Sequence, residues 1–98
     1  MKKQVTFKDM IDAFLSGEIE GVSATGTLKI RGDQLVHYNT PIMERDGERF
    51  IINTSRYSLA TGQLQKQIRI MIPEELQITV KRVPADYVGS LKDFLENR

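Results

Sequence analysis

Apolar residues recur along this chain with two different periods. Phe7, Met10, Ile11, Phe14 and Leu15 lie three and four residues apart, the spacing of one wide helical face. Thr6 and Asp9 bracket the start like a capping box, with Asp in place of the usual Glu. Gly17 supplies a stop. The spacing predicts a core-packing helix here, with Glu18 to Thr25 as a connection of small residues.

From Thr27 the period falls to two. Thr27-Leu28-Lys29-Ile30-Arg31 alternates and predicts a half-buried strand. Gly32-Asp33 predicts a hairpin turn that sets Ile30 opposite Leu35 and Leu28 opposite His37. Leu35 to Arg45 reads as one long bent strand, at an edge or bulged near Pro41, which lacks an N–H. Asp46-Gly47 then predicts a type I′ turn. Counting outwards pairs Arg45 with Glu48, Glu44 with Arg49, Met43 with Phe50 and Ile42 with Ile51. Pro41, Met43, Phe50 and Ile52 share a core face under that register. Ile42, Ile51, Glu44 and Arg49 share a partly solvated one.

The run Asn53-Thr54-Ser55-Arg56-Tyr57-Ser58 breaks the alternation and predicts a loop or strand end. Ser58 or Thr61 can cap the helix that follows. Leu64, Ile68, Met71 and Ile72 lie on one helical face before Pro73. Ile68, Ile70 and Ile72 also alternate, so the last turn could be extended instead. Gln77 to Val83 predicts a strand with Ile78 and Val80 inward and Thr79 and Lys81 outward, stopped by Pro84. Tyr87, Val88, Leu91, Phe94 and Leu95 predict a C-terminal helix over Ala85 to Asn97. The expected fold is α+β in a single domain, residues 1–98. It has an antiparallel sheet of about four strands, an N-terminal helix, a helix after the central hairpin and a C-terminal helix.

Composition narrows the chemistry. The chain has no Cys, so neither a disulfide framework nor a thiolate zinc site is available. Fourteen basic and 13 acidic residues leave a net charge of +1, without the strong basic excess of many nucleic-acid binders. No apolar run has the ~20 residues needed to span a bilayer, and no signal-peptide core follows Met1-Lys2-Lys3. A cytoplasmic protein is expected.

His37 is the single histidine and sits on a strand face beside apolar residues, which predicts a structural role. No spaced carboxylates suggest a metal site, no glycine loop suits a phosphate, and no Gly-x-Ser-x-Gly elbow occurs. Neither a cofactor nor a catalytic residue is expected. The polar cluster that stands out is Asn53 to Ser58. Arg56 and Tyr57 are residue types favoured at interface hot spots, and both could also grip a phosphate and stack on a base. Asn53, Ser55, Arg56, Tyr57, Lys66 and Arg69 are therefore the candidate partner-binding residues.

Tyr38-Asn39-Thr40-Pro41-Ile42, Ile52-Asn53-Thr54-Ser55-Arg56-Tyr57-Ser58 and Gln65-Lys66-Gln67-Ile68-Arg69 resemble a pattern in small uncharacterised proteins of bacterial phages, plasmids and integrated mobile elements. The resemblance spans roughly Leu28 to Arg69. It departs at Ala60-Thr61, where the group more often has two threonines, and at Gln65, where it often has histidine. The group has no established activity, so no site residue is carried over. The resemblance implies an accessory protein of a mobile element. The expected function is then non-catalytic binding of a protein partner, as a regulator or as an inhibitor of a host defence system such as CRISPR. Nucleic-acid binding through Arg56, Tyr57, Lys66 and Arg69 is the alternative. An enzyme built on His37 with Tyr57 or Asp33 has the least support.

Overall fold

The structure, a computed structural model, describes residues 6–95. Helix α1 spans Phe7–Leu15. Both halves of the expected capping box form: Thr6 Oγ1 accepts the Asp9 N–H at 3.2 Å, and the Asp9 carboxylate accepts the Thr6 N–H at 3.3 Å. Met10, Ile11 and Phe14 are buried. Near the other end Arg45 donates to backbone carbonyls of the helix terminus and of the following turns. Its guanidinium donates to Phe14 O at 2.7 Å, to Gly32 O at 2.8 Å and to Glu18 O, while its carbon lies 4.0 Å from the centre of the Phe14 ring.

The strands are β1 (Glu20–Val22), β2 (Leu28–Arg31), β3 (Gln34–His37), β4 (Thr40–Asp46), β5 (Arg49–Asn53) and β6 (Gln77–Val80). They form one sheet in the order β1-β2-β3-β4-β5-β6. Among the described residues, six strands replace the expected four. The two additions come from one segment that lacked a strand signal and one that hid a turn. β1 lies in the connection of small residues, with all three positions exposed. Leu35 to Arg45 is not one bent strand but two, broken at Tyr38-Asn39. Those residues have φ of 52° and 75°, the left-handed pair a type I′ turn requires.

The Gly32-Asp33 hairpin has the expected register, with Ile30 opposite Leu35 and Leu28 opposite His37. The next pairing carries the bulge expected near Pro41. Leu35 pairs with Met43 and Val36 with Pro41, leaving Ile42 as the extra residue. Ile42 and Met43 therefore both enter the main core, although they are neighbours in sequence.

The Asp46-Gly47 hairpin is displaced from the expected register. Met43 faces Ile52, Glu44 faces Ile51, Arg45 faces Phe50 and Asp46 faces Arg49. The central turn residues are thus Gly47 and Glu48, and of these only Gly47 has positive φ, 66°. One positive φ at the first central position suits a type II′ turn, so Asp46 stays in the strand. The slip is even, so Met43, Phe50 and Ile52 keep a common face.

Helix α2 spans Leu59–Met71, capped by Ser58 Oγ, which accepts the Thr61 N–H at 3.3 Å. Ile68 and Ile70 are helical, and Ile72 is the extended C-cap. α2 carries the chain back across the sheet, so β6 pairs parallel to β5 rather than antiparallel. The fold is α+β with a mixed sheet. One face, with Leu28, Ile30, Leu35, Met43 and Ile52, packs against Phe14 of α1 and Leu64 and Ile68 of α2.

The opposite face is covered over Glu44 and Ile51, while Arg49, expected on the same face, is exposed. Ile51 and Val80 pack there with Val83 and Leu91, and Glu44 is 6% exposed. The cover is an irregular segment with a short 3-10 turn at Leu91–Phe94, where a longer helix was expected. The end of that expected helix lies outside the described residues. Gly89 has φ of 149° and Val88 is 87% exposed, so Tyr87 and Val88 do not continue a helical stripe. Ser90 and the Glu44 carboxylate hold the turn's first N–H groups.

Candidate functional site

The candidate residues leave the end of β5 and enter α2, and they divide into two sets. Asn53 is fully buried. Its Nδ2 donates to Pro41 O and to Tyr57 Oη, both at 2.9 Å, and its Oδ1 accepts the Ser55 N–H at 2.9 Å. Ser55 Oγ accepts the Val83 N–H at 2.8 Å, and the Tyr57 hydroxyl donates to Val83 O. Gln65 Nε2, from α2, closes the network on Asn53 O at 2.7 Å and Ser55 O at 2.9 Å. Tyr57 is half-buried against the main core rather than projecting freely. These groups fix the loop. Among the described residues, no buried side-chain nitrogen or oxygen lacks a partner.

Arg56, Lys66 and Arg69 are the solvent-facing set. They line two adjoining grooves that share Thr54. The first, about 520 Å³, runs between α2 and β6 and is lined in part by Lys66, Arg69, Ile70, Glu74 and Gln77. Ile70 is 69% exposed there. The second, about 490 Å³, lies beyond the strand ends and is lined by Ser55, Arg56, Lys81, Arg82, Val83 and Pro84 along with Thr54.

Lys81 and Arg82 were not in the candidate set. They join it because β5 and β6 run parallel, which brings the ends of both strands to one place. The signal available was the βαβ pattern itself: an apolar strand, a helix and a second strand. Arg82 has φ of 64°, a conformation that costs a non-glycine residue on the order of 1–3 kcal/mol. The bonds from Ser55 and Tyr57 to Val83 hold the backbone just beyond it.

Among the described residues, five cations and one carboxylate, Glu74, therefore line the two grooves. None of the five is in an ion pair among the described residues; the ion pairs formed there involve Lys8, Arg45 and Lys92. In a chain of net charge +1, this is a local concentration of positive charge.

His37 lies elsewhere. It is 2% exposed, and its Nδ1 is 2.9 Å from Thr61 Oγ1. The Phe7 ring meets it edge-on, with centroids 5.4 Å apart. Burial pushes its pKa below the ordinary 6.5, so the imidazole is held neutral. Asp33 is exposed and pairs with Arg45 at 3.5 Å, while Tyr57 is bonded to Val83 and Asn53. Among the described residues, no group of three His, Cys, Asp or Glu is placed to hold a metal ion. No described helix is long and apolar enough to cross a membrane.

The chain matches no protein-family model, no curated protein and no solved structure.

Proposed function

We propose that this chain is a non-catalytic binding module, an accessory protein of a mobile element, that grips an acidic segment of a protein partner at the β5/β6 end. The observation that carries the reading is the set of five cations around two adjoining grooves, Arg56, Lys66, Arg69, Lys81 and Arg82, none in an ion pair among the described residues. Fixed positive charge without internal partners favours an anionic ligand and speeds its encounter. Exposed Ile70 adds an apolar contact inside the first groove. Inhibition of a host defence protein such as a CRISPR effector is the role that fits a mobile-element accessory.

The same cations favour a second reading, nucleic-acid binding through phosphate contacts. Single-stranded nucleic acid is held by a basic groove that tracks the phosphates together with exposed aromatic rings on which bases stack. Tyr57, the aromatic residue nearest the basic set in sequence, is half-buried with its hydroxyl bonded, and no Phe or Tyr lines either groove. A protein partner is therefore the leading reading.

Fluorescence anisotropy with a labelled acidic peptide and with labelled single- and double-stranded DNA separates the two. The expected result is saturable peptide binding that weakens by about tenfold in Arg69→Glu and in Arg82→Glu. Tighter DNA binding, with a salt slope near −3 or steeper, would instead establish phosphate recognition, at about 0.9 per phosphate contacted.

A further inference from the structure

The last strand of the sheet leaves one side of its backbone without a strand partner. β6 ends the strand order, and no described strand pairs with its outer side. The direction of its groups follows from one bond. Val80 O accepts the Thr54 N–H at 2.8 Å, so the Val80 amide and carbonyl face β5. Backbone groups alternate along a strand. The Thr79 N–H and C=O therefore face away from β5. The Gln77 C=O faces the same way, while its N–H is bonded to Glu74 O. The Thr79 side chain is exposed on the sheet face toward α2.

Three features surround this edge. The first groove runs beside it, with Ile70 and Gln77 in its lining. Gln77 Nε2 ties β6 to the end of α2 through Ile72 O at 2.7 Å and Arg69 O at 3.0 Å. Lys81 and Arg82 follow directly and line the second groove. A free edge with adjacent lysine repels a second edge of the same charge and accepts an acidic one.

We infer that β6 is a docking edge for an extended acidic segment of a partner protein, which adds to the sheet as a further strand. The inference rests on the protein-binding reading above and specifies how the partner sits. Its main chain pairs with Thr79 and Gln77. One of its apolar side chains enters the groove against Ile70, and its carboxylates meet Lys81 and Arg82. Main-chain pairing supplies affinity and alternate side chains supply specificity.

The test uses a short capped peptide alternating glutamate and valine, titrated by heteronuclear NMR against the full chain. Thr79→Pro removes the outward N–H and leaves the β5 ladder intact, a position at which an edge strand accepts proline. The expected result is loss of at least about tenfold in affinity in Thr79→Pro, and a similar loss in Lys81→Glu. The same peptide with alternate amides N-methylated, in each of the two phases, is run against the wild type. One phase should lose binding and the other keep it, a readout that stands even if Thr79→Pro does not fold. Full binding of both methylated peptides, or of a folded Thr79→Pro variant, overturns edge pairing. If Lys81→Glu still loses binding in that case, groove recognition of an acidic partner survives without strand addition. No peptide binding at millimolar concentration, preference for DNA, or self-association through this edge would overturn the inference as well.

Discussion

The carboxylate of Glu44, on β4, accepts the Leu91 N–H at 2.7 Å across 47 residues of sequence. It also accepts Ser90 Oγ at 2.7 Å and Gln34 Nε2 at 3.0 Å. Glu44 is buried, and this clamp fastens the C-terminal segment over the second core. Glu44→Ala should cost about 1–3 kcal/mol, because it leaves buried donors unmet. Urea unfolding measures the loss. Hydrogen exchange should show amides near Leu91 opening faster than those of β4 and β5. A change below about 0.5 kcal/mol would place Glu44 among ordinary surface residues.

Asn53 and Arg56 should respond oppositely to truncation. Asn53→Ala strips partners from Pro41 O, Ser55 N and Tyr57 Oη inside a buried loop, and should cost about 1–3 kcal/mol. Arg56 is exposed, so Arg56→Ala should stay within about 0.5 kcal/mol and yet weaken binding of an acidic ligand. Comparing unfolding midpoints with affinities for the two variants checks the division.

His37 makes stability depend on pH. Its folded pKa is lowered by burial, so above about pH 6.5 both folded and unfolded chains carry a neutral imidazole. As pH falls below 6.5, the unfolded chain takes up a proton that the folded chain resists. Stability then declines, by no more than about 1.4 kcal/mol per pH unit for one proton. Urea midpoints measured from about pH 8 to 5 should fall over this window in the wild type. The slope should flatten in His37→Gln.

The Tyr87 hydroxyl gives its one proton to the Asp93 carboxylate at 2.7 Å, with Ser90 O also within reach at 2.9 Å. Its pKa is raised to about 12, first through the bond to Asp93 and then through burial and the charges of Asp93 and Glu44. A protonated phenol held in the fold loses its advantage as pH rises above 10, where the unfolded chain ionises. Ultraviolet titration should therefore show late ionisation of Tyr87. Asp93→Asn should bring it back toward 10.

Helix α1 and the Gly32-Asp33 hairpin were legible because local signals and tertiary demands agree there: a capping box, an apolar stripe and a glycine with φ of 62°. At Asp46-Gly47 the same dipeptide serves two turn types that differ by two residues in register. A period-two pattern does not distinguish them, because an even slip keeps every side chain on its face. The break at Tyr38-Asn39 was hidden because tyrosine rarely takes positive φ. Alternation in Gln77 to Val83 identifies a strand but carries no direction, so the parallel pairing of β6 was signalled by the strand-helix-strand order and not by the strand's own pattern. That gap also hid part of the candidate site. Arg56, Lys66 and Arg69 stood out as exposed cations close in sequence, whereas Lys81 and Arg82 join them through parallel pairing alone. Asn53, Ser55 and Tyr57 looked like a recognition loop because polar side chains that stabilise a loop and those that bind a partner have the same composition.

Binding of an acidic protein segment at the β5/β6 end is the proposal on which the other binding predictions depend. The most direct measurement is an amide chemical-shift map of the nitrogen-15-labelled chain titrated with the acidic peptide. Saturable shifts should concentrate at Thr54, Arg56, Gly62, Arg69, Thr79, Lys81 and Arg82 and fade as salt is raised. Shifts centred on β1 or the Tyr38-Asn39 turn, or none at millimolar peptide, would contradict the proposal.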